Sequence, residues 1–448
     1  MHRRQRVPFI FAAALVAAAG TLLLLFMLGG AARLVQASPG TLCVAPGGGG
    51  CDPGVCGTTC YASVQDAVNN AISGDEILVA TGIYTDVNNY YGHNQVVYVN
   101  KSVTIRGGYN ADLSAWDPDT YPATLDAGGQ GRVIYITGDI SPTLEVLRLT
   151  NGSTTASNGG GIQIDGAHPI ISGCQVYNNT ADWSGGGIAV NGSANVVLAG
   201  NRIYSNTANF GGGLDVDSST NVTLAGSEIY SNTALYEGGG AHIYKSGNTT
   251  LTDNKVHNNT ARYRGGGVEI SSSANATLAN NMVLENRLSD ISGNGAGIYF
   301  EDFTGRFLHT TIAGNSGGGG QGVYVTNGAT AWTTNTILLS HTVGVEVTSG
   351  ATATLNATLW GADAWANITA TVGSNVFTGT INIRGNPAFV DPTGGDYHIG
   401  PGSAALNAGV DTEVDTDIDG ETRIGTPDLG ADEFITYVYL PLVLRNHQ

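Results

Sequence analysis

Gly185-Gly186-Gly187-Ile188-Ala189-Val190 and Gly211-Gly212-Gly213-Leu214-Asp215-Val216 are two copies of one unit. Each copy is a glycine cluster, a short alternating apolar stretch and two further apolar stretches, and it closes on Asn-Thr-Ala. The closing tripeptides are Asn179-Thr180-Ala181, Asn206-Thr207-Ala208, Asn232-Thr233-Ala234 and Asn259-Thr260-Ala261. The last glycines of successive clusters are Gly161, Gly187, Gly213, Gly240, Gly267, Gly297, Gly322 and Gly344, with spacings of 26, 26, 27, 27, 30, 25 and 22. A period of that size marks a solenoid, so function must be read from a stack of coils.

Within each period the apolar residues alternate. Ile162 and Ile164, Ile188 and Val190, Leu214 and Val216, Val268 and Ile270 point into the coil. Leu198, Leu224, Leu251 and Leu278 continue this on a second strand, and Ile203, Ile229, Val256 and Val283 on a third. Three short strands with no helical stretch between them predict an all-β, single-stranded, triangular parallel coil, with neighbours about 4.8 Å apart. The turn asparagines Asn179, Asn206, Asn232, Asn259 and Asn286, followed by Asn315, then lie above one another. Their amides can bond along the axis, and Asn tolerates the left-handed backbone of a tight turn.

Outside the repeats, Val64, Ala67, Val68, Ala71 and Ile72 fall at helical spacing, so Ser63 to Ser73 reads as a short helix capping the open end of the stack. Irregular early coils follow, with an insertion from Tyr109 to Pro122. The chain divides as 1–37 export signal, 38–76 Cys-rich segment and capping helix, 77–384 coils, 385–434 C-terminal region and 435–448 tail.

The export reading rests on Arg3, Arg4 and Arg6 before an uncharged run from Val7 to Ala32 and small residues around Ala37. An uncleaved membrane anchor is the competing reading, and it is the only membrane contact expected. Both readings place the rest outside the cell or on its surface, as in an exported bacterial protein. Cys43, Cys51, Cys56 and Cys60 then form two disulfides with three possible pairings, while Cys174 packs alone as a small apolar residue. A formal charge of -18 with 18 Lys and Arg excludes nucleic acid as a partner, because phosphate binding needs clustered cations.

Alternation exposes the residues between the apolar ones and stacks them in columns. Asp215, His242 and Glu269 become consecutive neighbours on one exposed face, with Asp217 beside Asp215. Carboxylates so placed raise one another's pKa or share a cation, and a flanking imidazole moves a proton, which makes these three the catalytic candidates. Aromatics line up as well. Tyr177, Tyr204, Tyr230 and His257 follow the third-strand column, and Trp183, Phe210, Tyr236 and Tyr263 each sit four residues after a turn Asn. Such ladders suit sugar rings, or they stack on themselves to stabilise turns, and polar stripe and aromatics could share one groove. Asp415-Thr416-Asp417-Ile418-Asp419-Gly420 opens like a calcium loop, with Thr426 where the twelfth-position Glu belongs, so Ca2+ is the one cofactor indicated.

The glycine-cluster and Asn-Thr-Ala repeats resemble right-handed parallel β-helix proteins of the pectate-lyase-like superfamily, especially polymorphic outer-membrane protein repeats, whose Gly-Gly-Ala-Ile is approximated by Gly185-Gly186-Gly187-Ile188. Asn386 to Asp391, Asp396 to Ile399, Pro401-Gly402-Ser403 and Pro427-Asp428-Leu429-Gly430-Ala431-Asp432-Glu433 resemble the choice-of-anchor Q domain that ends many bacterial β-helix surface proteins. The resemblance implies a right-handed coil and, in the superfamily's lyases, calcium-binding carboxylates with a Lys or Arg base. Its hydrolases carry Asn-Thr-Asp, Asp-Asp and Gly-His-Gly signatures, which are absent here, so no catalytic residue transfers. Two functions remain open: a surface protein for adhesion or glycan binding, or a polysaccharide lyase or glycoside hydrolase acting through Asp215, His242 and Glu269.

Overall fold

The structure, a computed structural model, describes residues 40–435 apart from 58, 368 and 374; the export signal and all but the first residue of the tail lie outside the described residues. It is an all-β right-handed parallel solenoid of about 11 turns. The first strand of each coil joins one 12-stranded sheet, in which Gln163, Ala189, Asp215, His242, Glu269, Tyr299, Tyr324 and Glu346 are successive cross-strand partners. That is the register expected from the glycine spacing. The inward residues of all three strands are buried and merge into one core along the axis.

Two local expectations need correction. Asn-Thr-Ala is more than a turn: its Thr and Ala open a fourth short strand, and these strands form their own 6-stranded sheet from Ser153–Thr154 to Arg287–Leu288. Ala181, Ala208, Ala234 and Ala261 are buried there, in a column that runs from Thr154 to Leu288. Nor does the ladder Asn itself take the left-handed backbone. The residue before it does, at Asn178, Ser205, Ser231, Asn258 and Glu285, all with φ between 52° and 56°. This kink turns the following amide inward.

Once inward, each amide is fully bonded. The backbone N–H and the Nδ2 of Asn179, Asn206, Asn232, Asn259 and Asn286 donate to the Oδ1 of the next rung at 2.9–3.1 Å. The second Nδ2 proton reaches a strand carbonyl, as from Asn232 to Ile203 at 2.9 Å. The ladder continues through Asn315 to His341 and Asn367. His341 serves as a rung because a neutral imidazole both accepts and donates: Nε2 accepts from Asn315 Nδ2 and Nδ1 donates to Asn367 Oδ1, each at 3.2 Å. Two further ladders hold the other corners. Cys174, Asn201, Ser227, Asn254 and Asn281 form one, Ser193, Ser219, Ser246 and Ser273 the other.

The ends are covered. The helix spans Val64–Asn70, shorter than expected, with Ser63 Oγ capping its N-terminus. It stops because Ala71 is extended, and Ile72 stays partly exposed. The Gln65 side chain bonds both N–H and carbonyl of Tyr98, which closes the sheet edge. Thr41–Val44 pairs in parallel with Glu76–Ala80, so the Cys-rich segment already contributes a strand. Its disulfides are Cys43–Cys56 and Cys51–Cys60, and Leu113 of the 109–122 insertion packs beside them. Cys174 is a free, buried thiol. At the far end, residues 386–434 fold back along the solenoid. Tyr397, Ile399, Leu429 and Ala431 bury Met282, Leu284, Ala313, Ile337 and Leu339.

Asn232→Ala is expected to lower stability by about 3 kcal/mol, since it strips buried donors and acceptors of partners; Asn258→Gly, at the exposed left-handed position, costs far less. Denaturant midpoints of the two variants check this. A second outcome concerns acid. Burial outweighs the Asn367 hydrogen bond and lowers the His341 pKa to about 4. An unfolded His binds its proton near pH 6.5, so stability is intact above that value and falls between pH 6.5 and 4, by roughly 3 kcal/mol at this one site. His341→Asn should flatten the thermal midpoint over that window.

Candidate functional site

Asp215, His242 and Glu269 meet as the register requires, but on no open face: they are 2%, 7% and 0% exposed. The glycine clusters explain the difference. In the six clusters that begin at Gly159, Gly185, Gly211, Gly238, Gly265 and Gly295, the first glycine takes a positive φ and arches over the side chain two places beyond the last one. A Cβ on Gly238 would lie 2.5 Å from the His242 Cβ, and one on Gly265 2.6 Å from that of Glu269. Gln163, Ala189 and Tyr299 are buried in the same column for the same reason. Period-two alternation distinguishes inside from outside; it does not report what the connecting loop lays on top.

Asp215 Oδ1 lies 2.6 Å from His242 Nδ1, which places the ring proton on Nδ1. Nε2 faces Glu269 Oε2 at 3.0 Å. Burial pulls the imidazole pKa down, but the Glu269 charge and the Asp215 bond outweigh it and raise it to about 9. Burial raises Glu269 to about 7 against the pull of His242, and raises Asp215 as well.

Above Asp215 and His242 opens a cleft of 760 Å³, which Glu269 does not line. One wall is the residue immediately before each glycine arch: Ser184, Phe210, Glu237 and Arg264, which pair coil to coil. Phe210 packs at 5.5 Å from the His242 ring. Arg264 is held by Glu237 at 3.4 Å and Glu301 at 3.0 Å, and its guanidinium lies over the Tyr299 ring. Asp217, Tyr244 and Asp302 line the opposite side. Glu237 and Arg264 were not among the sequence candidates. Their signal is a charged side chain immediately before the cluster, at Glu237 and Arg264, where Phe210 and Ser184 stand one and two coils before Glu237, but it lies outside the alternating strand.

The aromatic ladders separate. Tyr177, Tyr204, Tyr230 and His257 stack at 4.9–5.2 Å on another sheet, none lines the cleft, and Arg202 bonds the Tyr230 hydroxyl. For this ladder the expectation of one shared groove fails, since those side chains leave a different strand of the coil; Phe210 of the other series does share the cleft with Asp215, Asp217 and His242. Trp183 is 55% exposed, and Tyr236 packs between Phe210 and Tyr263 beside the cleft wall. Of the calcium-loop residues, Asp417 spends its carboxylate on the N–H groups of Asp419, Glu421 and Glu433. Among the described residues, Asp419 converges with His398 and Asp432 rather than with Asp415 and Asp417.

Residues 127–283 match the family model described as right handed beta helix region. The fold is that of the right-handed parallel β-helix. No curated protein matches the chain by sequence. Among solved structures it is similar to pectate lyase Pel9A, with 14% identity over 88% of this chain and 97% of that one, at a TM-score of 0.51. The periplasmic alginate epimerase AlgG shares 12% over 72% and 82%, at 0.46. The A-module of Azotobacter vinelandii mannuronan C-5 epimerase AlgE6 shares 12% over 72% and 93%, at 0.40. These likenesses are of fold.

Gly238→Ala is expected to cost about 3 kcal/mol, from the left-handed backbone and the collision with His242 together. Gly226→Ala, also at positive φ but facing open space, should cost only about 1 kcal/mol. Equal losses in thermal unfolding would mean that the arch does not press on the column.

Proposed function

We propose that this protein is an exported enzyme, a polysaccharide lyase or glycoside hydrolase, that works on an extracellular glycan in the cleft above His242. One observation carries the reading: Asp215 and His242, both buried, line a 760 Å³ cleft, and Glu269 is buried against His242 at 3.0 Å. The same column holds Ala189 one coil earlier and Tyr299 one coil later, so the scaffold accepts uncharged residues there. Burying ionisable groups costs stability, and clusters of them with shifted pKa values beneath a cleft concentrate at functional sites. Asp215 orients the ring, which leaves Nε2, Glu269 and Glu237 around one space where a proton or a developing charge on a sugar can be handled. Phe210 offers a face to a sugar ring. The two disulfides support an oxidising, extracellular setting. A solenoid shared with a pectate lyase is in keeping with a polysaccharide ligand.

Adhesion or glycan binding without turnover is the second reading, favoured by the exposed ring of Trp183. Incubation with a panel of neutral and acidic polysaccharides separates the two. Release of reducing ends or unsaturated sugars is expected, falling about 10²–10⁴-fold in Glu269→Gln. Retention of the chain on a glycan array, weakened by Trp183→Ala and accompanied by no product from any polysaccharide, would replace the enzymatic reading with the binding one.

A further inference from the structure

Glu237, His242 and Glu269 each turn one ligand-type atom toward a common point, all within 4.8 Å of one another. The surroundings say what occupies it. Asp215 accepts from Nδ1 behind the ring, the arrangement in which a carboxylate fixes an imidazole so that Nε2 presents its lone pair forward. Glu269 is wholly buried, and neither of its carboxylate oxygens has a hydrogen-bond partner. Nε2 stands 3.0 Å from Oε2 without making an aligned hydrogen bond to it. A carboxylate stripped of water costs several kcal/mol unless positive charge sits against it, and the group that faces Glu269 here is the His242 imidazole, 3.0 Å away and not aligned for a hydrogen bond. Two ligands bound to one divalent ion at about 2.1 Å are about 3.0–3.4 Å apart; His242 and Glu269 stand at 3.0 Å, and Glu237 lies within 4.8 Å of both. Three carboxylates, from Asp215, Glu237 and Glu269, face one imidazole and the Arg264 guanidinium, so a cation improves the balance.

We propose that Glu237, His242 and Glu269 bind one divalent transition-metal ion at the floor of the cleft, with Asp215 as the outer carboxylate that orients His242. One nitrogen and two oxygens suit zinc or manganese, and the imidazole sets the site apart from the all-oxygen cages of calcium. The inference stands on the cluster's own geometry, whether or not a glycan is turned over above it.

The test titrates the purified, chelator-stripped chain with Zn2+ by calorimetry, and with Co2+ by visible absorption. One ion per chain is expected. Glu237→Gln, a change at the cleft wall that leaves the core untouched, should weaken uptake at least about 10-fold, and Asp215→Asn about 10–100-fold, with circular dichroism unchanged in both. Absence of uptake at millimolar Zn2+ overturns the proposal. So does uptake that survives Glu237→Gln and disappears in Asp419→Asn, a change in the other converging group. Glycan cleavage is scored on the same preparations. A chain that takes up zinc without cleaving sinks only the enzymatic reading, and one that cleaves without taking up zinc sinks only the metal.

Discussion

The amide of Asn232 sits where no water reaches, with its Oδ1 accepting two N–H groups from Asn206 and its own protons going to Ile203 and Asn259. Repeated from coil to coil, that set of bonds fixes the height and rotation of each turn relative to the last. A parallel pair can slip along its strands without losing ladder bonds. A buried amide that misses its partner by one residue loses several at once, so register is enforced at the corners. Everything that depends on side chains some two dozen positions apart touching, including the Asp215–His242–Glu269 contact, inherits its accuracy from these corners.

The same repetition explains how an ionic cluster survives inside. Glycines at the cluster leave room for the chain to fold over the column, and the arch shields whatever stands beneath it. At Ala189 this yields an ordinary small-residue contact; at Asp215, His242 and Glu269 it yields charges removed from water and held within 3.0 Å of each other. The scaffold thus supplies burial without specifying chemistry, and the chemistry enters through three substitutions in one column. Stability there comes from neighbours, whose apolar columns continue unbroken above and below.

Much of the architecture was legible because the signals were periodic. Glycine spacing predicted which residues pair, and the Asp215, His242 and Glu269 partnership follows from counting alone. What escaped is what departs from the period. His341 was missed as a rung because a histidine stands where the eye seeks asparagine, and only the geometry of its neutral ring reveals the equivalence. Glu237 and Arg264 lie four residues ahead of the strands Ala241–Tyr244 and Val268–Ser271, before the glycine cluster, where the alternation of those strands carries no information. The burial of the catalytic candidates was misjudged for a related reason, since the covering element is a glycine loop with no side chains to announce it. The end of the tyrosine stack, by contrast, could have been read: His257 is followed in register by Leu284, then Ala313 and Leu339.

That change from rings to aliphatics marks a division of labour along one sheet. Where Tyr177, Tyr204 and Tyr230 face outward, the stack protects its own surface, each ring covering the next. Beyond Leu284 the outward positions are apolar because residues 386–434 lie on them, and Asp417, Asp428, Asp432 and Glu433 of that segment hold its backbone in place. Asp428 accepts from the N–H groups of Asn407 and Phe434, while Glu433 pairs with a buried Arg423. Carboxylates bonded to backbone in this way hold the fold, and of the loop Asp415 to Gly420 this describes Asp417. Glu269, equally buried, takes no backbone N–H and faces the His242 imidazole at 3.0 Å without an aligned hydrogen bond, so its carboxylate is not spent on holding the fold, and its cluster is where the chemistry of this protein is to be sought.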